Sequence, residues 1–404
     1  MRELDFSREN IRGGWEGVKD FWGDGLREKV LKLVKGVLGR VLREEVKGVV
    51  GCRRYQRSKK RKGYRNGFYE RGLLTDYGWI EGIKVPRVRD VSWTPSVWSR
   101  YQRRQKALDR VILESFLLGH STRKAVRLFK RVFKGLISAQ TVSNIVKLLD
   151  GEVEAFRHRR FEKRYRVLII DGLWIKVASP FPVWKVVLVA LGVREDGKKE
   201  LLSFQVVPSE KECYWWGFLS DLRNRGLKGK NVEVIVHDGA GGLNSAVAIV
   251  YPGVKVQRCV FHKISNLAQN LNNPLNRSAI LQDASQIYAA ETLANLRSRL
   301  KAFSLKWQTK EGRAVKNFLK DFDLTLTYWE YPEPWRTWIR TTNLLERFLE
   351  ELQRRITPMR RFPNSKSAER ILYGLIFYVL NEKPCESELF EQDIPATNNF
   401  TQLS

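Results

Sequence analysis

The residues best suited to chemistry in this chain are acids set against apolar backgrounds. Asp171 interrupts the run VLIIDGLWIKV, flanked by Ile169, Ile170 and Leu173. Asp238 closes a second apolar run, VEVIVHD, just before Gly239 and Gly241-Gly242. A carboxylate inside an apolar strand is costly unless it is paired or bound to a cation. In open α/β sheets ligands gather at the carboxyl ends of strands, so acids at neighbouring strand ends can share a metal. Oxygen donors suit Mg²⁺, with Mn²⁺ able to substitute. Two such ions about 4 Å apart serve phosphodiester chemistry, one activating the attacking oxygen and the other steadying the leaving oxygen. The competing assignment for both aspartates is a structural salt bridge.

The stretch TTNLLERFLEELQRRI offers a third acid. Glu346 and Glu350 lie one helical turn apart on one face, so either can point at the same place. Glu350 has Arg354 four residues on, the spacing of a solvated ion pair. Thr341-Thr342-Asn343 can cap the helix and set Glu346 in its first turn. The residue pattern leaves both glutamates open. Cys259-x-x-His262 has metal-ligand spacing, but a structural zinc site needs four ligands. With four histidines in the chain and no second pair suitably spaced, a packing or hydrogen-bonding role beside the acids is expected. Lys176 and His237 each read as a phosphate contact or a counter-ion, with the counter-ion favoured for His237.

These side chains need a scaffold. The most apolar region, Val167 to Val193, is broken by Asp171, Lys176 and Lys185, which excludes a membrane span and predicts buried strands. VLIIDGLWIKV, WKVVLVALGV and ELLSFQVV read as three strands, the last two joined by a turn at Glu195-Asp196-Gly197. A helix over 212–226, the strand VEVIVHD, the helix GGLNSAVAIVY and the strand VKVQRCV follow. Three strands on short turns and then βαβα predict a mixed sheet with helices on both faces. Residues 264–325 read as helical, and another helix begins at 341. Upstream, Leu26, Val30, Leu33, Val37 and Val41 mark an amphipathic helix over 25–50. Residues 67–90 predict a hairpin turning near Asp76-Tyr77-Gly78. Helices opening at Ser121-Thr122 and Ser138-Ala139 form either a packing unit or a helix-turn-helix. In the second case Gln140, Ser143, Asn144 and Lys147 would face the major groove. Residues 151–165 read as a charged linker. The tail over 382–404 carries five acids against one lysine and is expected to be disordered.

The charge balance names the partner class. In 404 residues, 73 Lys and Arg stand against 44 Asp and Glu, a net +29. Self-repulsion of that size opposes compaction, and a polyanion such as nucleic acid relieves it. The densest run, Gly51 to Lys62, holds Arg53, Arg54, Arg57, Lys59, Lys60, Arg61 and Lys62 without an acid, and Arg65 follows. It reads as a solvated loop or as a flexible arm on the DNA backbone. Tyr55, Tyr64, Phe68 and Tyr69 are interleaved with the basic residues, which suits packing on sugars and bases. Four cysteines without a CxxC pair fit reduced thiols in a cytosolic compartment. The polar start MRELDFSREN does not read as a signal peptide, and none is expected.

From about residue 40 to about 380 the chain resembles the Mutator-like transposases, in their prokaryotic insertion-sequence branch. YQRSKKRKGYRNGFYERGL with IKVPRVRD resembles the family's N-terminal DNA-binding segment. VLIIDGLWIKV is similar to its first-aspartate strand. The block from SEKECYWWGF to CVFHKISNL spans a second aspartate and the Cys/Asp-x-x-His signature. WRTWIRTTNLLERFLEELQRRITPMRRFPN is similar to the block carrying the catalytic glutamate, which selects Glu346 over Glu350. The resemblance implies an α/β ribonuclease-H-like core with a mixed sheet, interrupted by an all-helical insertion and preceded by a helical DNA-binding region. The implied domains are a basic arm and hairpin over 1–100, a helix-turn-helix-like domain over 101–160, core segments over 161–263 and 336–381, and the insertion over 264–335. Asp171, Asp238 and Glu346 would bind two Mg²⁺ ions, cut transposon ends in duplex DNA, and join the 3′-hydroxyls to target DNA. A homodimer pairing two terminal inverted repeats is implied, acting at the nucleoid in a prokaryotic cytoplasm. The alternatives are a DNA-binding regulator without chemistry, or a metal-dependent nuclease on the same fold that joins no strands.

Overall fold

The computed structural model describes residues 25–56, 58–98, 103–119, 122–133, 137–178 and 181–380. Arg57 and the tail over 382–404 lie outside the described residues. The described chain forms two compact units, one from residues 25–116 and 122–146, the other from 117–119 and 147–380.

In the first unit, α1 (Leu26–Val50) packs on a hairpin of β1 (Tyr64–Thr75) and β2 (Gly78–Arg89). Thr75 pairs with Gly78, leaving Asp76-Tyr77 as a two-residue turn. Leu42, Leu73, Ile80, Ile83, Val85 and Trp98 form the core between helix and hairpin. The basic run is a closed loop rather than a free arm. Lys62 N–H bonds Val50 O at 2.9 Å, and Arg61 and Arg65 reach back to Cys52. Three helices follow: α2 (Lys106–Leu117), α3 (Thr122–Phe133) and α4 (Ala139–Lys147). Ser138 Oγ accepts the Thr141 N–H at 3.1 Å, the cap expected of a hydroxyl at that position.

The second unit opens with α5 (Leu149–His158) and the strands β3 (Tyr165–Ala178), β4 (Pro182–Arg194) and β5 (Lys199–Val207). Then come α6 (Glu212–Asn224), β6 (Val232–His237), α7 (Gly241–Val250) and β7 (Lys255–Arg258). From there to α13 (Asn343–Ile356) the chain is helical. That interval holds α8 (Val260–Gln269), α9 (Arg277–Tyr288), α10 (Leu293–Trp307), α11 (Gly312–Leu319), α12 (Glu333–Ile339) and short 3-10 turns. Then α14 (Ser365–Gly374) runs into a π-helical segment over Leu375–Leu380.

The sheet order is β5-β4-β3-β6-β7. The first three strands pair antiparallel and the last two join parallel. Strand side chains alternate between faces. Leu168 and Ile170 share a core with Trp215, Phe218 and Leu222 of α6 and Leu243 and Val247 of α7. Val167 and Ile169, equally buried, face the other side. There α13 packs on β3 and α14 on α5 and β5. Cover on both faces is why these strands read as near-continuous apolar runs. Each such side chain contributes about 1.5–3 kcal/mol by leaving water.

Residues 151–165 are not a linker. Leu149, Val153 and Phe156 are buried along one stripe of α5. On its flanks Arg157 meets Glu369 at 2.6 Å, and Asp150 takes Arg370 in a two-pronged pair at 2.6 and 2.7 Å. Of the charges that suggested a linker, Arg157 finds its partner on α14 and Arg159 pairs with Glu200 of β5 at 3.0 Å. Among the described residues no helix is long and apolar enough to cross a membrane.

Candidate active site

Parallel pairing sets the two aspartates level. Ile169 of β3 lies opposite Val236 of β6. Two residues further on, where side chains return to the same face, stand Asp171 and Asp238, the latter just past the end of β6. The row that Asp171 joins on β3 is otherwise apolar: Val167, Ile169, Leu173 and Ile175 are all buried. Backbone N–H groups hold one oxygen of each acid. Gly172 N–H donates to Asp171 Oδ1 at 2.8 Å, and Ala240 N–H donates to Asp238 Oδ1 at 2.9 Å.

The glycines beside the acids mark close approaches. A Cβ on Gly172 would come within 2.6 Å of Glu210 Oε1 and 3.0 Å of Val186. Gly239 has φ +89°, and a Cβ there would lie 2.1 Å from Arg258 Nε. Arg258 thus crosses directly over the turn that carries Asp238, and it donates to the Asp238 carbonyl at 3.4 Å.

Burial drives the Asp171 carboxyl up to about 7. The Gly172 bond works against that rise, the charge of Asp238 adds to it, His262 opposes it and Glu346 adds to it. Glu210, a fourth acid, is likewise raised, first by burial and then by Asp238, with a bond from Trp174 opposing.

Glu346 is half-buried in the first turn of α13, whereas Glu350 is exposed. Arg354 pairs with Glu351 at 2.9 Å and not with Glu350. Glu351 also holds Arg355, so it gathers both arginines of the last turn at spacings of three and four. Thr342 does stand at the N-cap, yet its hydroxyl caps no backbone N–H. It donates instead to Glu346 Oε1.

Cys259 and His262 lie at the junction of β7 and α8. Cys259 N–H bonds His237 O at 2.8 Å, and Val260 N–H bonds Arg340 O at 3.1 Å, which ties this junction to β6 and to the approach of α13. His262 Nδ1 is 3.6 Å from Glu346 Oε1. Burial raises the Cys259 thiol, but bonds from His262 and Thr342 outweigh it and hold the thiol below its ordinary value. The bond to Cys259 lifts His262 to about 9 against the effect of burial, with the charges of Cys259, Glu346 and Asp171 adding. At neutral pH His262 is therefore a cation among carboxylates.

His237 is neither phosphate contact nor counter-ion. It is fully buried, its Nδ1 accepts the Gly239 N–H at 3.0 Å, and burial lowers it to about 4, so it is neutral. Lys176 is exposed, with its ammonium 4.7 Å above the Trp184 ring.

The structure brings together Asp171, Asp238, Glu346, Cys259 and His262, five residues singled out in the sequence. The sequence pattern missed Glu210, Arg258 and the side-chain role of Thr342. The glycines adjoining the two aspartates were the available signal for the first two, because a close approach demands the missing Cβ.

The basic candidates lie apart in the chain from these acids. Arg53, Arg54, Lys59, Lys60 and Lys62 are exposed. Arg61 and Arg65 are half-buried on Cys52. Gln140, Ser143, Asn144 and Lys147 line one side of α4, away from buried Val142, Ile145 and Val146. Gln140 donates to Asn144 at 2.8 Å.

Residues 19–383 match the model of the transposase family described as Mutator. The chain is 33% identical over 353 residues, 87% of each chain, to the transposase for insertion sequence element ISRM5 of Rhizobium meliloti (strain 1021). It is 31% identical over 337 residues, 83% of this chain and 85% of the relative, to that of IS905 of Lactococcus lactis subsp. lactis (strain IL1403). It is also 31% identical over 338 residues, 82% of this chain and 85% of the relative, to that of IS256 in transposon Tn4001 of Staphylococcus aureus. With nearly its whole length matched, the chain belongs to the Mutator family of transposases.

Proposed function

We propose that this chain cuts the ends of an insertion element and joins them to target DNA, with Asp171, Asp238 and Glu346 as its catalytic acids. The observation that carries the proposal is the convergence of carboxylates from β3, the end of β6 and α13, close enough that Asp238 and Glu346 both raise Asp171. The sheet, a three-strand antiparallel meander extended by two parallel strands, supports a ribonuclease-H-like core with the helices between β7 and α13 as its insertion.

The donor set fits a divalent metal. All three groups offer hard oxygens, which suit Mg²⁺ or Mn²⁺. The cluster crowds negative charge into a partly buried space, with His262 as the cation acting on Asp171. Asp171, Asp238 and Glu346 would hold the ions. Two bound ions would polarise the scissile phosphate and stabilise charge on the attacking and leaving oxygens.

The chain's own part is orientation. Gly172, Ala240 and Thr342 each fix one oxygen of one acid. In the first reaction a water oxygen bonds to phosphorus and the bond to the 3′-oxygen breaks, leaving a 3′-hydroxyl. In the second that hydroxyl attacks a target phosphodiester, so one P–O bond forms as another breaks and no further energy source is needed. The +29 charge supports phosphate binding through the 53–62 loop and Arg65, with Gln140, Ser143, Asn144 and Lys147 of α4 as groove contacts. Two copies of the chain would pair two element ends, in a prokaryotic cytoplasm at the nucleoid.

The test is a strand-transfer assay on duplexes carrying the element's ends. Asp171→Asn, Asp238→Asn and Glu346→Gln should each lower cleavage and joining by about a thousandfold or more while binding DNA normally, and Glu350→Gln should retain both. Joined product from Asp171→Asn at the normal rate would refute the assignment. Cleavage without joining by the unaltered protein would make it a nuclease.

A further inference from the structure

We infer that Thr342 is a positioning residue whose hydroxyl links the Cys259-x-x-His262 pair to Glu346 and fixes the direction in which that carboxylate points. The inference rests on the reading of Glu346 as a catalytic acid.

Thr342 is fully buried between α12 and α13. Its N–H donates to Cys259 Sγ at 3.4 Å, and its Oγ1 lies 3.2 Å from the same sulfur. Oγ1 is also 3.4 Å from His262 Nδ1 and donates to Glu346 Oε1. One hydroxyl thus touches three chemically distinct groups that arrive from two separate stretches of chain. A hydroxyl has one proton to give and two lone pairs to receive. The carboxylate is the strongest acceptor of the three, because a charged partner roughly doubles the strength of the bond. The proton therefore goes to Glu346, a lone pair is left facing His262 Nδ1, and the Cys259 sulfur accepts the Thr342 N–H.

The same three donors could be taken for a metal centre. The ligand atoms of Cys259, His262 and Glu346 lie within 4.8 Å of one another, and three protein ligands with an open position are a catalytic-zinc pattern. Thr342 Oγ1 stands among them, within bonding reach of each. The arrangement is a hydrogen-bonded hub, and Glu346 remains available to the two aspartates.

The hub matters because a glutamate is loose. Its several rotatable bonds leave it many rotamers to lose on ordering. Thr342 sits four residues earlier, on the same helical face. Its β-branch stiffens its own χ1, so the hydroxyl presents a fixed point. Cys259, through the Thr342 N–H, and His262, at the hydroxyl, then hold Thr342 from behind. On this account the Cys-x-x-His pair acts on Glu346 through Thr342.

The test uses the full chain with Thr342→Ser, Thr342→Ala and Thr342→Val. Ser and Ala both lose the methyl and differ by the hydroxyl, whereas Val keeps the shape and loses the hydroxyl. Strand transfer is measured against Mg²⁺ concentration, and Mn²⁺ binding is read separately from the electron paramagnetic resonance of free Mn²⁺. Thr342→Ala and Thr342→Val should weaken Mn²⁺ binding and raise half-saturating Mg²⁺ by about 10–100-fold, the range for losing a group that orients a ligand. Thr342→Ser should stay close to the unaltered protein. If Thr342→Ala folds poorly, Thr342→Val against the unaltered chain decides. Equal metal dependence with and without the hydroxyl overturns the inference. If Asp171→Asn and Glu346→Gln also remain active, the reading of the acids has failed instead; if both are dead, only the Thr342 assignment has.

Discussion

Replacing Asp171 by Asn should stabilise the metal-free protein while removing its activity. The carboxyl titrates near 3.8 when unfolded and near 7 in the fold. Between those values the folded state binds more protons than the unfolded state, so stability falls as pH rises through that window and stays at its lower level above it. At about 1.4 kcal/mol per pH unit, the penalty is about 1.5 kcal/mol at pH 5 and approaches about 4 kcal/mol at pH 8. Asn can still accept the Gly172 N–H at Oδ1 and carries no charge, so it escapes the penalty. The assay is thermal unfolding in EDTA at pH 5 and pH 8. The Tm advantage of Asp171→Asn should be about 5–10 °C larger at pH 8 than at pH 5. Saturating Mn²⁺ should narrow the gap at pH 8, because ligand at a hundred times its Kd adds about 2.7 kcal/mol to the chain that binds it. An Asp171→Asn protein that is less stable than the unaltered chain at pH 8 in EDTA, or an advantage that ignores pH, refutes the electrostatic account.

Further outcomes follow from the same geometry. Gly239→Ala puts a Cβ 2.1 Å from Arg258 Nε at φ +89° and should cost about 1–3 kcal/mol in denaturant unfolding. Because the strain falls on the turn carrying Asp238, cleavage should fall by more than stability alone explains. Replacing exposed Arg53, Arg54, Lys59, Lys60 and Lys62 together with Ala should weaken binding to all duplexes alike. The slope of log affinity against log salt should shrink by about 0.9 for each phosphate that is no longer neutralised. A weakening confined to the element's own ends would mean that this loop reads bases.

Asp171 and Asp238 were legible because a charge in a run such as VLIIDGLWIKV has no cheap structural explanation. The mixed sheet followed from the same runs, since short turns join antiparallel neighbours and intervening helices permit parallel ones. Glu346 could not be separated from Glu350 by pattern, because both lie on one helical face. What separates them is burial and a bond from Thr342, which depend on how residues 340–342 meet α8. Helix α5 was misread for the opposite reason. Its apolar stripe is only three residues wide, and its charges find partners more than 200 residues away on α14. Thr342 was read as a cap from its type and place. Its hydroxyl was drawn off by a charged acceptor one turn ahead, a competition that no local pattern reveals.

The proposed chemistry requires that the three acids bind metal together. Mn²⁺ should be titrated into the full chain while free Mn²⁺ is followed by electron paramagnetic resonance, with Asp171→Asn, Asp238→Asn, Glu346→Gln and Glu350→Gln in parallel. Binding should weaken in each of the first three and remain unchanged in Glu350→Gln. Unaltered Mn²⁺ binding in Asp171→Asn and Asp238→Asn would contradict the shared metal site on which the proposed chemistry depends.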